Sequence, residues 1–254
     1  MIKTAIFVEG QTELIFVREM LLRVFAPTDI CFQCWQLLSY EEVPADYDYP
    51  NETAAFHFNI INSASDKKVA SQIIKREKKF WESGYFRIIG LRDMYSPDDY
   101  TKKVKRRKIS PDLNKRTIEA SQSLMTEQAL RPQDIHYHFA IMEVEAWLLG
   151  LGSVFGKIDT RLSLERIKEH LGIDLYEIDP ETAFIHPAMQ VKQIMELAER
   201  SYRKHKEEVK ALLKPTTKED FIQLRDSGKC ASFASFFASL PNESDFLGES
   251  ERPE

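Results

Sequence analysis

A short apolar strand that ends in an acid and a glycine, Ile6-Phe7-Val8-Glu9-Gly10-Gln11-Thr12-Glu13, constrains this chain more than any other feature. An apolar run followed at once by an amphipathic helix is how an α/β sheet begins. Open sheets of that kind bind ligands and metals at the carboxyl ends of their strands, so Glu9 stands at the expected mouth. Two further segments repeat the pattern. Asp93 follows Phe86-Arg87-Ile88-Ile89-Gly90-Leu91, and Glu143 and Glu145 follow Phe139-Ala140-Ile141-Met142. Carboxylates gathered at three strand ends repel one another unless a cation or a proton sits between them, and the arrangement predicts a divalent-cation site. Magnesium accepts one or two carboxylates and takes its remaining oxygens from phosphate and water.

The rest of the first 150 residues fits that frame. Strands are expected at Ile2–Val8, Cys31–Leu38, Phe56–Ile61, Phe86–Leu91 and Ile135–Met142, with helices over Thr12–Phe25, from Asp66 through Trp81, and over Arg116–Leu130. Tyr40–Thr53 and Tyr95–Lys115 read as loops. Strand and helix alternating at this spacing predict a mostly parallel sheet with helices on both faces. From Leu151 the pattern is helical only, with periods over Leu162–Leu171, Pro187–Leu213 and Lys218–Leu240. The expected organisation is a sheet domain over 1–150, a helical lobe over 151–240 and a frayed acidic tail over 241–254.

Composition narrows the function classes. With 43% hydrophobic and 30% charged residues, the chain matches an ordinary globular protein rather than a disordered one. No apolar run approaches the roughly 18–20 residues a membrane-spanning helix needs, and Met1-Ile2-Lys3-Thr4 lacks the zones of a signal peptide; a cytoplasmic location is expected. A net charge of −5 excludes a general nucleic-acid glue. Three cysteines do not make a disulfide framework, and Cys31 and Cys34 read as buried, inert thiols. No dinucleotide or phosphate-loop glycine motif is present.

Taken together, Val8-Glu9-Gly10-Gln11-Thr12-Glu13, Leu91-Arg92-Asp93-Met94-Tyr95 and Met142-Glu143-Val144-Glu145-Ala146-Trp147-Leu148-Leu149 resemble the TOPRIM fold of topoisomerases, primases and OLD-type nucleases. They are most similar to a family of small stand-alone TOPRIM proteins that occur beside ATPases in bacterial defence islands. Ile185-His186-Pro187-Ala188 and Ser232-Phe233-Ala234-Ser235-Phe236-Phe237 resemble the helical half of that family. The resemblance implies a Rossmann-like α/β sheet with a C-terminal helical lobe, and magnesium- or manganese-dependent cleavage of DNA or RNA. It also implies an ABC/SMC-like AAA ATPase partner and a role in defence against phage. It assigns Glu9 to metal ligation or proton transfer, Asp93 to the metal, and Glu143 or Glu145 to completing the shell. Homo-oligomerisation stays open.

One departure matters. The common TOPRIM pattern has a second acid where this chain has Tyr95, which removes an anionic ligand unless Asp98 or Asp99 folds back. Tyr95 therefore supports an alternative, a binding or regulatory subunit with weakened chemistry. Transfer chemistry on a small nucleotide is a third reading. Glu13 is either a further site acid or an ordinary first-turn acid favoured by the helix dipole. If the helix after the last strand starts near Val144, only one of Glu143 and Glu145 reaches the metal.

The strongest charge anomaly is Lys102-Lys103-Val104-Lys105-Arg106-Arg107-Lys108, a few residues after Asp93. Beside a metal centre it predicts a salt-sensitive grip on a phosphate backbone, against the plainer reading of a solvated loop or a dock for an acidic partner. Tyr95 and Tyr100 flank it and offer faces on which bases stack. His136 and His138 share a strand face without a third ligand. Arg203-Lys204-His205-Lys206-Glu207-Glu208 reads as a solvated helix face.

Overall fold

Alternation along the first strand explains where the sheet sits. In Ile2–Val8 (β1), Ile2, Ile6 and Val8 join one buried cluster while Ala5 and Phe7 join another. A strand covered on both faces belongs inside a parallel sheet. That is its place in a computed structural model, which describes residues 1–38, 41–45, 47–65, 68–95, 100 and 108–246. The next elements are α1 (Gln11–Val24), β2 (Ile30–Leu38), β3 (Glu41–Pro44), β4 (Phe56–Asn62), α2 (Val69–Glu82), β5 (Arg87–Asp93), α3 (Pro111–Gln128) and β6 (Ile135–Ala140). The six strands run in the order β3-β2-β4-β1-β5-β6, and only β2 with β3 is antiparallel. The protein is thus α/β, a mostly parallel sheet flanked by helices, in the Rossmann-like manner expected.

Eight or more short helical pieces follow β6, among them α4 (Glu145–Gly150), α5 (Ser153–Ile158), α6 (Leu164–Leu171), α7 (Pro180–Ala183), α8 (Pro187–Glu196), α9 (Lys206–Leu213), α10 (Lys218–Asp226) and α11 (Ala231–Ala238). They bury against the face that α1 covers; α2 and α3 cover the other. Phe16 of α1 is the joint, with ring centroids 5.5 Å from Trp147, 6.1 Å from Phe221 and 6.3 Å from Phe233. None of the three buried clusters among the described residues is confined to 151–240, so the helices complete the sheet's core. Gly90 in β5 shows how close the other layer comes. A Cβ there would meet the Tyr137 ring at 2.6 Å and Ile73 at 2.8 Å.

Several elements differ from expectation for identifiable reasons. The Tyr40–Thr53 loop contains β3, whose Glu41 and Glu42 pair with Leu38 and Leu37; an edge strand can carry charge that an inner strand cannot. Helix α3 begins at Pro111, inside the expected Tyr95–Lys115 loop. Ser110 Oγ caps it by accepting from Leu113 N at 3.3 Å, and Pro111 occupies its first turn. The expected cap Asp66 lies outside the described residues, and Lys68 holds the N-cap position of α2. The Pro187–Leu213 period breaks into α8 and α9, with Glu199 (φ 58°) and Lys204 (φ 60°) in left-handed conformation between them. Lys218–Leu240 breaks at Gly228 (φ 75°) and Cys230 (φ 50°). At the start of the tail Asp245 accepts from Asn242 N at 2.9 Å and reaches Arg87 at 3.5 Å. No helix among the described residues is long and apolar enough to cross a membrane.

Candidate active site

Strand register brings the acids together. Val8 ends β1 opposite Leu91, and Asp93 ends β5 opposite Ala140, so the three strand ends are neighbours at one edge. Glu9 Oε2 accepts from Asp93 N at 3.0 Å, and Asp93 Oδ1 accepts from Val144 N at 3.0 Å. After β6 the chain reverses through Met142, whose φ of 65° is strained for a side-chain-bearing residue. Tyr95 N donates to Met142 O at 2.8 Å and holds that turn. Glu145 then opens α4, which Trp147 anchors in the core by donating to Glu181 and Ser232 at 2.9 Å each. Glu13 enters from the first turn of α1. A Cβ on residue 10 would lie 3.0 Å from Glu13 Oε2, so that carboxylate sits close against the Glu9-Gly10 turn.

The helix does start at the expected place, yet both later acids end on one cation. Lys204 Nζ lies 3.1 Å from Glu143 Oε1 and 3.1 Å from Glu145 Oε2. Glu143 Oε2 also accepts from Ala188 N at 3.1 Å, and Glu145 Oε1 from Tyr202 OH at 2.9 Å. The start of the helix therefore does not keep the two carboxylates from a common partner. The long lysine stem arrives between them and gives both a common partner.

Charge balance at the cluster is poor. Glu13, Asp93 and Glu145 are 5%, 8% and 0% exposed. Burial first, then the Glu9 and Glu145 charges, push the Glu13 carboxyl up to about 8. Burial, with Glu13, Glu9 and Glu145 beside it, raises Asp93 well above the usual carboxylate range. Glu145 is raised by burial, against the pull of Lys204. Burial favours loss of the Lys204 proton, but Glu145, Glu143 and Asp93 outweigh it and hold the ammonium charged. Several carboxyls thus share one positive charge, a pattern found at sites built for chemistry.

Lys204 and Tyr202 are the two residues that sequence reasoning missed. Lys204 sits in a run taken for a solvated helix face. In the structure 197–205 is a break between helices that turns this side chain inward. The signal that would have found it is electrostatic: buried acids need a cation, and a lysine side chain can supply one as a metal can.

Other expected residues are placed differently. Tyr95 packs edge-on against His186, with ring centroids 4.6 Å apart. Tyr100 is buried and its hydroxyl accepts from Ser110 N at 2.7 Å, so it is not a free face for stacking. Lys102, Lys103, Lys105, Arg106 and Arg107, with Asp98 and Asp99, lie outside the described residues; Lys108 is exposed. Cys31 and Cys34 point to opposite faces of β2. Cys31 approaches His57 Nδ1 at 3.3 Å, while burial pushes the Cys34 thiol up to about 12. His136 and His138 stack at 6.5 Å, and burial lowers His138 to about 4.

The donors at the acid cluster are carboxylate oxygens, the hard ligands that magnesium and manganese take. By donor type and uncompensated charge the set suits such a cation. As the side chains stand, no group of three or more His, Cys, Asp or Glu among the described residues forms a metal cage. Comparison of the chain with protein-family models, with curated proteins and with solved structures gave no match.

Proposed function

We propose that this protein is a divalent-metal-dependent nuclease that cleaves phosphodiester bonds in DNA or RNA. The supporting observation is the crowding of Glu9, Asp93 and Glu145, after β1, β5 and β6, with Glu13 from the first turn of α1, and with Lys204 as the cation that acts on Glu13, Asp93 and Glu145. In this reading Asp93 and Glu145 hold magnesium or manganese, Glu143 completes the set, and Glu9 binds the metal or moves a proton at the rim. The bound ion would lower the pKa of a water and stabilise charge on the phosphoryl oxygens. Lys204 offers its ammonium to the same phosphate, and Tyr202 holds Glu145 in orientation through its hydroxyl. Lys102, Lys103, Lys105, Arg106, Arg107 and Lys108 grip the substrate backbone without reading its sequence. An ATPase partner and a defence role follow from the family resemblance alone.

Tyr95 favours a second reading, a binding or regulatory subunit of such an ATPase complex. Its ring is engaged with His186. A cleavage assay separates the two. Purified protein is offered plasmid DNA and total tRNA with magnesium or manganese, alone and with an ATPase encoded beside it. The nuclease reading expects metal-dependent cutting of at least one polymer, abolished by Asp93→Ala and by Glu9→Ala. No cutting under any of these conditions leaves the regulatory reading.

A further inference from the structure

The break between α8 and α9 faces two ways. Tyr202 and Lys204 turn inward onto Glu143 and Glu145. Arg200, Arg203 and His205 are exposed. A bend at Arg203 and Lys204, with Lys204 in left-handed conformation, turns the lysine in while Arg203 stays out. The left-handed residues Glu199 and Lys204 keep the segment from continuing as helix. Glu208 Oε2 accepts from Arg203 N at 2.6 Å and from His205 N at 3.2 Å, which fixes the segment from behind.

On its outer side Arg200 and Arg203 line a groove of about 370 Å³ with Lys192 of α8. The groove also holds two acids: Glu196 pairs with Lys192 inside it at 3.8 Å, and Glu199 reaches Arg161 outside it at 3.7 Å, which leaves Arg200 and Arg203 as its unpaired charges. Neither Arg200 nor Arg203 forms an ion pair among the described residues. Residues 192–210 hold six Lys or Arg against four Glu, in a chain whose net charge is −5. Arg203 is the chain neighbour of both Tyr202 and Lys204, so its Cα is about 3.8 Å from each of theirs.

We propose that Arg200 and Arg203 form a phosphate-binding rail that holds a nucleic-acid backbone alongside the acid cluster. Guanidinium groups suit this work because their planar fork matches two phosphate oxygens at once. The rail deepens the nuclease reading and rests on it for the class of ligand. It also gives the break a purpose: one short segment supplies cations to the acids inside and to the substrate outside.

The test is fluorescence anisotropy of labelled DNA and RNA oligonucleotides with the full chain in EDTA, over a salt series, so that binding is read without cleavage. R200E/R203E is expected to weaken binding about tenfold or more and to reduce the salt slope by about 2. R200K/R203K is expected to keep most of the affinity. K75E/K78E, on the exposed side of α2, is the control and stays within about twofold of wild type. Undiminished binding by R200E/R203E overturns the rail and leaves the nuclease reading standing. Wild-type protein that binds neither polymer overturns both. Binding that the reversal abolishes, in a protein that cuts nothing with either metal, keeps the rail and removes the nuclease chemistry.

Discussion

Two kinds of buried carboxylate serve this protein, and the contrast between Glu77 and the strand-end acids separates scaffold from site. Glu77, on α2, is 1% exposed and accepts from Trp81 Nε1 at 3.0 Å, Leu130 N at 2.9 Å and Arg131 N at 3.4 Å. One donor lies on α2 itself and the other two are adjacent residues, so it ties α2 to the connection between α3 and β6. Asp93 is nearly as buried, but its carboxyl is pressed by burial and by Glu13, Glu9 and Glu145. A carboxylate surrounded by donors holds a fold together. Carboxylates surrounded by carboxylates hold it apart unless something positive arrives.

Substitution at Glu77 should break that contrast if it is wrong. Glu77→Ala strands an indole and two backbone donors and is expected to cost roughly 4 kcal/mol of stability. Asp93→Asn keeps an oxygen for Val144 N while removing a repelling charge, and should leave the unfolding free energy unchanged or higher. Chemical denaturation of both variants in EDTA is the measurement, and equal losses would erase the distinction.

Lys204 sharpens it next. Lys204→Met leaves Glu143 and Glu145 without their shared cation and is expected to destabilise the metal-free protein by roughly 3 kcal/mol at neutral pH. Added manganese should recover part of that loss. A Met variant as stable as wild type in EDTA would mean that the lysine is not what neutralises the cluster.

An effect of similar size, visible only in acid and absent at neutral pH, is expected at His138. Its Nε2 is buried without a hydrogen-bond partner among the described residues, and its folded pKa of about 4 lies below the unfolded value of 6.5. The folded state therefore binds fewer protons between those values. Stability is full above the unfolded pKa and falls as pH drops, by roughly 3 kcal/mol at pH 4. His138→Leu should remove that component from the pH–stability curve. A curve that keeps its acid limb unchanged would place the loss elsewhere.

Much of the architecture was legible because it depends on short-range pattern. The apolar runs before Glu9 and Asp93 are inner strands, and the run before Glu143 is edge strand β6, half-buried at His136, Tyr137 and His138. Register then made neighbours of their ends. Lys204 was not legible for the opposite reason. Its role depends on a helix break at Glu199 and Lys204 that no glycine or proline announces, and a run of charge looks solvated until tertiary structure turns one member inward. Edge strand β3 escaped in the same way, since its glutamates suit an edge and disguise a strand. The contact of Tyr95 with His186 joins residues 91 positions apart in the chain and is invisible to periodicity.

Metal-dependent thermal unfolding of wild type and Asp93→Asn, in EDTA and with magnesium or manganese at neutral pH, tests the central claim most directly. If the crowded acids form a divalent-cation site, saturating metal raises the wild-type midpoint by roughly 5 °C or more and leaves Asp93→Asn nearly unmoved. A wild-type midpoint that neither metal shifts, or a shift that Asp93→Asn retains in full, would contradict the account.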